Sequence, residues 1–427
     1  MQTAAYALSV NTPAKVRPSE SRRPIMRHSS KTLTPSFRIR LLLLVASVML
    51  QPAVGQTQPP TQGDFKAHFL SLCDIACKEL DKPFTPFDER NRNNADPATH
   101  HAPFFEDSHA VRALTVAYDM TGKREYLDTC RRWSDRMIAY QHKMIPKDAY
   151  YLNYYRQPSD TKDQWFSSDA ASVGMAVLAT AVRANDKAEQ DRYLDSVKAF
   201  AKLVADKYIK DGGITDGIWT QFDGPWWAST AICGEMFLLL YEETGDERYR
   251  KIGVDAAHWL LKTDFRDAKP ITMKERPSGI VFYDFGFYAV ALKYLPAESP
   301  QRKTLLTQIS EMRKWLDANQ IGRGGKPAWA YSDDSHTDMA GLPLLMYSFA
   351  SQLPEHRGLT AEADRELRYI DGLLLGKGEL PLSQLNVWEV VSWGMMSYVE
   401  KLSPGSLFRS SKQSPEKNAV LDTRVNK

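Results

Sequence analysis

The sequence contains few cysteines and none of the short motifs that identify common catalytic or nucleotide-binding sites. Four Cys residues occur among 427 residues, and all of them lie inside helical patterns, which excludes a disulfide-dense scaffold. Cys73 and Cys77 are one helical turn apart, which favours two buried small residues over a disulfide or a metal site. There is no Gly-rich phosphate loop, Walker pattern, nucleophile elbow or spaced Cys/His zinc pattern.

The apolar run at residues 41–50 is too short to cross a bilayer. Arg38 and Arg40 precede it, and the small residues Ala53-Val54-Gly55 follow it, an order that is typical of a cleavable signal peptide. We therefore expect an exported protein, periplasmic or secreted, without stable membrane insertion after cleavage. A short signal anchor is the alternative.

The net charge gives no support for a nucleic-acid partner. Residues 1–55 contain eight Lys or Arg and one Glu, so the formal charge of +3 for the whole chain becomes −4 for residues 56–427. Hydrophobic residues make up 43%, enough for a sizeable core, and several of the ten Trp precede helices, where packing alone does not demand them. That distribution suggests a binding cleft.

One phrase occurs twice, Tyr-x-x-Thr-Gly before a charged stretch that ends in Tyr. The copies are Tyr118-Asp119-Met120-Thr121-Gly122 and Tyr241-Glu242-Glu243-Thr244-Gly245. In each copy Gly can adopt the left-handed conformation that ends a helix, and a new amphipathic pattern starts directly behind it. The spacing of 123 residues between the two Thr accommodates two repeats of about 60 residues, with a degenerate copy near Asn185-Asp186. Each copy therefore predicts a tight turn between two helices.

Helical patterns and loops alternate along most of the chain. Helices are predicted near residues 64–82, 106–120, 123–143, 168–184, 187–210, 227–243, 246–262, 280–295, 299–319, 337–352, 360–375 and 386–401. Patterns that are apolar all round alternate with striped, charged ones, and a helix that is apolar all round is buried. Six buried helices inside six amphipathic ones predict an all-α fold, an (α/α)6 toroid of six helical hairpins.

The loops indicate which face of the toroid holds the site. Turns at residues 121–123, 185–187 and 244–246 are tight, whereas the loops at 144–167, 211–226, 263–279 and 320–336 are long. Long loops therefore gather where the inner helices begin, and a binding site is expected there. The predicted segments are a signal peptide at 1–55 (with Met26 as an alternative start to Met1), a linker at 56–63, a catalytic domain at 64–402 and a disordered tail at 403–427.

The alternating toroid and the hairpin phrase resemble the six-hairpin glycosidase superfamily, nearest to the unsaturated glucuronyl hydrolases and the related unsaturated rhamnogalacturonyl hydrolases. In that family one acidic residue starts an early inner helix and another starts the next. Asp107 and Asp169 occupy those places, 62 residues apart. The family usually carries Trp-x-Arg-Gly-Gln-x-Trp before the following inner helix, whereas this chain has Trp226-Trp227-Ala228-Ser229-Thr230. The missing Arg and Gln leave the substrate open.

The two aspartates also attract attention on physical grounds. A carboxylate in the first turn of a helix can simply cap orphan N–H groups. However, Asp169 follows Trp165 and Phe166, and Asp107 has aromatic neighbours as well. A carboxyl group between aromatic walls loses hydration, which raises its pKa and suits it for acid/base catalysis. Asp169 and Asp107 are therefore the predicted catalytic pair.

Other residues on the same face are candidates for substrate contact. Trp219, Trp226 and Trp227 form an aromatic loop with Asp216 and Asp223, and aromatic faces stack on sugar rings. The predicted substrate-binding residues are His109, Trp165, Trp219, Asp223, Trp226, Trp227, Tyr283, His336 and Trp388.

Three further groups carry weaker signals. His100 and His101 lie in an extended segment that could fold over the cleft, and Glu235 lies deep in its helix, where it is expected to pair with a basic group. The contiguous Asp333, Asp334, His336 and Asp338 lack the spaced partners of a zinc site, so capping and ligand hydrogen bonds are favoured and no metal or cofactor is predicted.

The resemblance implies hydration of a terminal unsaturated uronic acid in an oligosaccharide. Asp169 would donate a proton to the vinyl ether and activate water, while Asp107 would assist in positioning and charge. A conventional glycoside hydrolase or a polysaccharide lyase on the same toroid is the alternative enzyme, since two carboxylates across a sugar also suit glycosidic cleavage. A catalytically inactive glycan-binding scaffold is the alternative from another class.

Overall fold

A computed structural model describes most of the chain from residue 62 onwards as a helical body, all within the compact unit that begins at Pro59. The described residues are 62–88, 95–155, 165–217, 224–262, 286–288, 290–318, 367, 371, 380, 382–383 and 385–408. The helices are α1 (Gln62–Leu80), α2 (Phe104–Thr121), α3 (Arg124–Gln141), α4 (Ser167–Ala181), α5 (Lys187–Lys207), α6 (Trp227–Thr244), α7 (Glu247–Leu260), α8 (Pro300–Ala318) and α9 (Leu385–Leu402).

The repeated phrase forms two tight turns between helices, as predicted. Gly122 and Gly245 end α2 and α6 in the left-handed conformation, with φ of 70° and 71°, and each donates its N–H to a carbonyl four residues earlier. In the degenerate copy, the Asp186 side chain caps α5 by accepting the N–H of Glu189 at 2.8 Å.

Neighbouring tight turns are joined by hydrogen bonds and lie at one end of the helices. Arg183, after α4, pairs with Asp119 in the last turn of α2, and Arg124 at the start of α3 donates to Asn185 at 3.0 Å. Because the tight turns share one end, the longer connections are at the opposite end, where α2, α4 and α6 begin.

Buried and amphipathic helices alternate as predicted. Helices α2, α4 and α6 are buried almost all round, apart from the last turns of α2 and α6. Helices α3, α5 and α7 bury one stripe each. Helix α2 packs against α4, α4 packs against α6, and α9 packs back against α2, so that the last inner helix closes onto the first. This is the arrangement of an (α/α)6 toroid, and the predicted fold class is confirmed.

Some predicted boundaries need correction. The helix predicted to reach residue 210 ends at Lys207, and the chain then forms a short antiparallel pair, β1 (Ile209–Lys210) and β2 (Gly213–Ile214), through Gly212 at φ 87°. Of the predicted helix 280–295, residues 286–288 and 290–291 are described as helical. The predicted helix 337–352 lies outside the described residues, and 360–375 is described only at positions 367 and 371.

The tail predicted to be disordered from Ser403 contains ordered residues at its start. Residues Ser406–Phe408 form a 3-10 helix, Leu407 is buried, and its carbonyl accepts a hydrogen bond from Arg112 at 2.8 Å. Gly405 donates its N–H to the carboxylate of Glu400. The buried side chain of Leu407 and the hydrogen bond to its carbonyl hold this segment against α2. The sequence did not predict this order, because the tail as a whole has few apolar residues.

The four cysteines are free and buried, as the spacing of Cys73 and Cys77 predicts for those two. Within the described part of the chain, no helix has the length and apolar character needed to cross a membrane.

Candidate active site

The N-terminal ends of the inner helices meet at one end of the toroid. At the start of α9, Trp388 donates its indole N–H to Asp107, in the first turn of α2, at 3.0 Å. On the other side, Cys233 in the second turn of α6 lies 3.3 Å from the carbonyl of Ser167, the first residue of α4, so the first turn of α6 extends to this end as well. The face that the loop lengths indicated is therefore formed by helix starts.

The starts of the inner helices α2, α4 and α6 have no side-chain cap. The N-cap residues of α2, α4 and α6 are Pro103, Phe166 and Trp226, and none of their side chains makes a capping hydrogen bond. Of the outer helices, α5 and α7 are capped by aspartate side chains, whereas the Lys123 side chain before α3 makes no capping hydrogen bond. Each helix start carries a partial positive charge, so the inner face favours negatively charged groups.

Asp169 is the carboxylate that fits an acid/base role best on this face. It lies in the first turn of α4 and is half-buried. The Tyr154 hydroxyl donates to its Oδ2 at 3.2 Å, and the Ser168 hydroxyl to its Oδ1 at 3.3 Å. Both bonds are longer than the usual O–H···O distance.

Burial raises the pKa of Asp169 to about 7, and the hydrogen bonds from Tyr154 and Ser168 offset only part of that rise. No charged side chain among the described residues contributes to the shift. A carboxyl group with this pKa exchanges protons readily at neutral pH, which is what a general acid and base requires.

Tyr154 is held by aromatic packing and by backbone pairing. Its ring packs edge-on against Phe166, with 6.0 Å between centroids, and lies 6.0 Å from Phe87 on the other side. Phe87 donates its N–H to Asn153 and accepts the N–H of Tyr155, which fixes the backbone on both sides of Tyr154. The hydroxyl therefore reaches Asp169 from a constrained ring.

Asp107 has a different environment. It is fully buried, and three donors occupy its two oxygens. His100 Nε2 lies 2.7 Å and Trp388 Nε1 lies 3.0 Å from Oδ1, while Trp133 Nε1 donates to Oδ2 at 3.2 Å. The two predicted catalytic carboxylates therefore do not share an open cavity, because Asp107 is enclosed by protein donors.

His100 links Asp107 to a second buried carboxylate. Its Nδ1 lies 2.9 Å from Glu79, which also accepts a hydrogen bond from Lys82 at 2.6 Å. Burial alone would lower the pKa of His100, but the charges and hydrogen bonds of Asp107 and Glu79 outweigh it and raise the pKa to about 9. His100 is therefore an imidazolium between two carboxylates at neutral pH, and it is not part of a lid over the cleft.

Three of the predicted sugar-contacting Trp residues are in the interior. Trp165 is fully buried and packs edge-on against Phe200 and Tyr208 of the outer layer. Trp227 packs against Trp259 of α7, and Trp388 is enclosed beside His100. Their exposed fractions are 0% for Trp165 and Trp388 and 5% for Trp227, so none of the three rings presents a face to a ligand. Trp226, by contrast, is half-buried at the start of α6.

His109 and Glu235 lie deeper in the toroid. The His109 ring stacks on Trp393 of α9 at 3.7 Å between centroids, and neither ring nitrogen has a hydrogen-bond partner in the described structure. Burial, and secondarily the charge of Arg112, hold its pKa well below the usual range. Glu235 accepts a hydrogen bond from Arg112 at 2.8 Å, which confirms that it pairs with a basic group.

Other sequence-predicted site residues fall outside the described residues. They are Trp219, Asp223, Tyr283 and His336, together with the acidic cluster around His336. Within the described ranges, no group of three or more His, Cys, Asp or Glu is arranged to hold a metal ion.

The sequence did not single out Tyr154, Trp133 or Glu79. Tyr154 belongs to a tyrosine-rich stretch in the long loop before α4, and that composition was the available signal for an aromatic wall. Trp133 and Glu79 lie within outer helices, where Trp and Glu are common residues. Their contacts with Asp107 and His100 arise from the packing of α1 and α3 against α2, which the sequence does not show.

No protein-family model matches the chain, and no curated protein sequence matches it. Solved structures do match in fold. The unsaturated glucuronyl hydrolase of Bacillus sp. GL1, described as responsible for degradation of glycosaminoglycan, is 13% identical, with 83% of this chain and 100% of that chain covered and a TM-score of 0.56. A possible member of the GH105 family from Salmonella enterica is 9% identical, with 83% and 97% covered and a TM-score of 0.54.

The GH76A α-1,6-mannanase of a Salegentibacter species is 13% identical, with 80% of this chain and 100% of that chain covered and a TM-score of 0.52. These proteins share the six-hairpin toroid, so the predicted resemblance to the six-hairpin glycosidases holds at the level of fold. These three structures are those of two glycoside hydrolases and of a possible member of a glycoside hydrolase family.

Proposed function

We propose that this chain is an exported carbohydrate-active hydrolase that acts on uronic-acid-containing oligosaccharides by hydrating a terminal unsaturated uronyl residue. The observation that carries this proposal is the environment of Asp169. It is a half-buried carboxyl at the start of an inner helix, its pKa is raised to about 7, and a tyrosine hydroxyl contacts one oxygen. No cofactor is required for this chemistry.

In this reaction a single carboxyl group serves twice. Asp169 in its protonated form gives its proton to the alkene carbon β to the ring oxygen, which leaves an oxocarbenium ion at the other alkene carbon. The Asp169 carboxylate then removes a proton from a water molecule as the water oxygen bonds to that carbon. This step leaves Asp169 protonated again. The hemiketal then opens to a ketone, which turns the anomeric carbon into a hemiacetal, and that hemiacetal collapses to an aldehyde and releases the rest of the oligosaccharide as an alcohol.

The environment of Asp107 favours this one-carboxyl chemistry over cleavage that uses two carboxylates. A conventional glycosidase needs a second carboxylate that reaches the sugar or its attacking water. Asp107 is fully buried and its oxygens are occupied by His100, Trp133 and Trp388, so it cannot fill that place without breaking this network. Its role in the proposal is to hold the starts of α2 and α9 together beside the site.

The helix starts support an anionic substrate. The first turns of α2 and α4 already carry Asp107 and Asp169, whereas the start of α6 has neither a side-chain cap nor an acidic residue in its first turn, so its N–H groups and dipole favour a carboxylate from outside the chain. A uronic acid supplies that charge, whereas a neutral sugar does not gain from it.

A conventional glycoside hydrolase is the second candidate, and one residue favours it. Glu389, in the second turn of α9, is half-buried and directly follows Trp388, which contacts Asp107, and it is the second carboxylate that this candidate would use. In that case the substrate would be a saturated glycoside, and Asp169 would act as the general acid.

Matched substrates separate these candidates. The purified mature chain would be incubated with oligosaccharides made from glycosaminoglycans and pectins by lyases, which leave an unsaturated end, and with oligosaccharides of the same composition made by hydrolases. The proposal predicts products from the unsaturated set alone. Products from both sets would support the conventional hydrolase, and binding without any product would support a glycan-binding scaffold.

The activity should fall as pH rises through the pKa of Asp169. The protonated carboxyl starts the reaction, so kcat/KM is expected to be lost above about pH 7, with an alkaline limb near that value. A pH profile of kcat/KM on an unsaturated oligosaccharide measures this. A rate that stays constant from neutral to clearly alkaline pH would contradict the assignment of Asp169 as the acid.

Export is expected to remove the leader. The apolar run at residues 41–50 and the small residues before Gln56 support cleavage after Gly55. Intact-mass spectrometry of material secreted by an expressing bacterium should give a chain that begins near Gln56. A secreted or membrane-bound chain that retains residues 41–50 would contradict cleavage and favour a signal anchor.

A further inference from the structure

Asp169 is the group that transfers the proton in the function proposed above. The side chain of Tyr154, which is held by several contacts of its own, touches the carboxyl group of Asp169. The Tyr154 hydroxyl donates to Oδ2 at 3.2 Å. The other described contact is the hydroxyl of the adjacent residue, Ser168, to Oδ1. Tyr154 is therefore the one contact that reaches Asp169 from a distant part of the chain, among the described residues.

The support for Tyr154 comes from a short parallel pairing of two loop segments. Phe87 N–H donates to the Asn153 carbonyl at 2.6 Å, and Tyr155 N–H donates to the Phe87 carbonyl at 2.8 Å. Asn153 adopts φ of 65°, and its side chain donates to the carbonyls of Thr85 and Ala102 at 2.9 Å and 2.8 Å. Asparagine tolerates this left-handed conformation better than most residues.

These contacts orient the ring of Tyr154 towards α4. Phe87 and Phe166 pack against it on two sides, so rotation of the ring away from Asp169 would break both aromatic contacts. The structure therefore uses the segment at residues 84–87 and the side chain of Asn153 to present one hydroxyl to one carboxylate oxygen.

We propose that Tyr154 is a positioning residue for Asp169: its hydroxyl contacts Oδ2 and orients the carboxyl group, so that Oδ1, whose described contact is the hydroxyl of the adjacent Ser168, carries and transfers the proton. This role rests on the proposed function for its catalytic meaning. A donor on Oδ2 withdraws electron density from that oxygen and stabilises the ionised carboxylate. Removal of the donor should then make Asp169 a weaker acid.

The groups that act on the charge of Asp169 are few. Within the described residues they are the hydroxyls of Tyr154, from the loop before α4, and of Ser168, on α4 itself, and no charged side chain of a neighbouring helix contributes. A change at Tyr154 is therefore expected to appear in the titration of Asp169 without compensation from a nearby ion pair.

The test compares Tyr154→Phe with Tyr151→Phe as the matched control. Tyr151 is in the same loop, but its hydroxyl donates to the backbone carbonyl of Tyr154 at 3.2 Å and makes no contact with Asp169. The first measurement is a carboxyl-carbon NMR titration of protein isotopically labelled at aspartate. The Asp169 signal is identified by its absence in Asp169→Asn.

The midpoint of Asp169 is expected to rise by about one pH unit in Tyr154→Phe, a typical effect of removing one hydrogen bond to a charged group, and to stay unchanged in Tyr151→Phe. The alkaline limb of kcat/KM should move upward by the same amount, and kcat at neutral pH should fall because the carboxyl is no longer held in one plane. A purely structural role for Tyr154 would lower stability without moving either midpoint.

An unchanged Asp169 midpoint in Tyr154→Phe would overturn this role, whether or not the chain is active. The NMR titration needs no substrate, so it separates the inference from the proposed function. A shifted midpoint in a chain that acts on no unsaturated uronide would support the contact between Tyr154 and Asp169 and would contradict the proposed function instead.

Discussion

Asp169→Asn is expected to abolish turnover while leaving the fold intact. Asn has the size of Asp and can still accept the Tyr154 hydroxyl, but it can neither give nor take a proton at neutral pH. Loss of a general acid and base commonly costs about 10²- to 10⁴-fold in rate. The measurement is kcat/KM on an unsaturated oligosaccharide, together with circular dichroism and a thermal melt of both proteins.

The stability of this variant should carry a pH signature. Burial raises the pKa of Asp169 from 3.8 to about 7, so its contribution to folding stability is fully present below pH 3.8 and is lost as pH rises through about 7. Asn at this position bears no charge at any pH. Asp169→Asn should therefore unfold at a higher temperature than the wild type at pH 8, and this difference in unfolding temperature should shrink as pH falls and disappear below about pH 3.8.

Asp195→Asn provides the matched control, because Asp195 is exposed on α5 and pairs only with Lys198 in the described structure. This control should keep both activity and stability. If Asp169→Asn unfolded, or if it retained wild-type activity on its true substrate, Asp169 would be a structural cap and the proposed site would be wrong.

Asp107→Asn is expected to have its largest effect on stability. The amide would place an NH₂ group where Asp107 accepts hydrogen bonds, against the donors of Trp133 or of His100 and Trp388. It would also remove a negative charge that balances the buried His100. Breaking a buried, hydrogen-bonded charge network by changing one partner typically costs about 3–5 kcal/mol.

Urea denaturation of Asp107→Asn at several pH values measures this loss. The pKa of His100 is raised to about 9, so the stability that its charge provides is fully present below about pH 6.5 and is lost as pH rises through about 9. The difference in free energy of unfolding between Asp107→Asn and the wild type should therefore become smaller above pH 9. A variant with wild-type stability but no turnover would show that Asp107 acts in the chemistry and would contradict its enclosed, structural role.

The fold could be predicted from local chemistry because it repeats. Thr-Gly turns such as the one at Gly122 end helices through backbone conformation, and the alternation of apolar and striped helices is visible in residue order. The predicted helix ends and the predicted disordered tail were wrong where contacts between distant parts of the chain determine the structure. The helix α5 ends before a short strand pair, and Leu407 is fixed by Arg112 from a helix almost three hundred residues earlier.

The candidate site was only partly predictable. Position in the repeat identified Asp107 and Asp169 together, but the sequence could not show that one is enclosed by indole N–H groups and an imidazolium while the other is half-buried. The same limit applies to the aromatic residues. Trp165 and Trp226 both precede inner helices, yet Trp165 packs in the core and Trp226 stays half-buried. Whether a residue before an inner helix is exposed depends on how the outer helices pack over it.

The ultraviolet absorbance of an unsaturated uronate tests the central claim most directly, because hydration destroys the conjugated double bond. The proposal predicts that wild type and Asp195→Asn remove this absorbance from lyase-made oligosaccharides, and that Asp169→Asn, folded and at the same concentration, does not. Constant absorbance with the wild type, while new reducing ends appear on intact saturated glycans, would contradict hydration by Asp169.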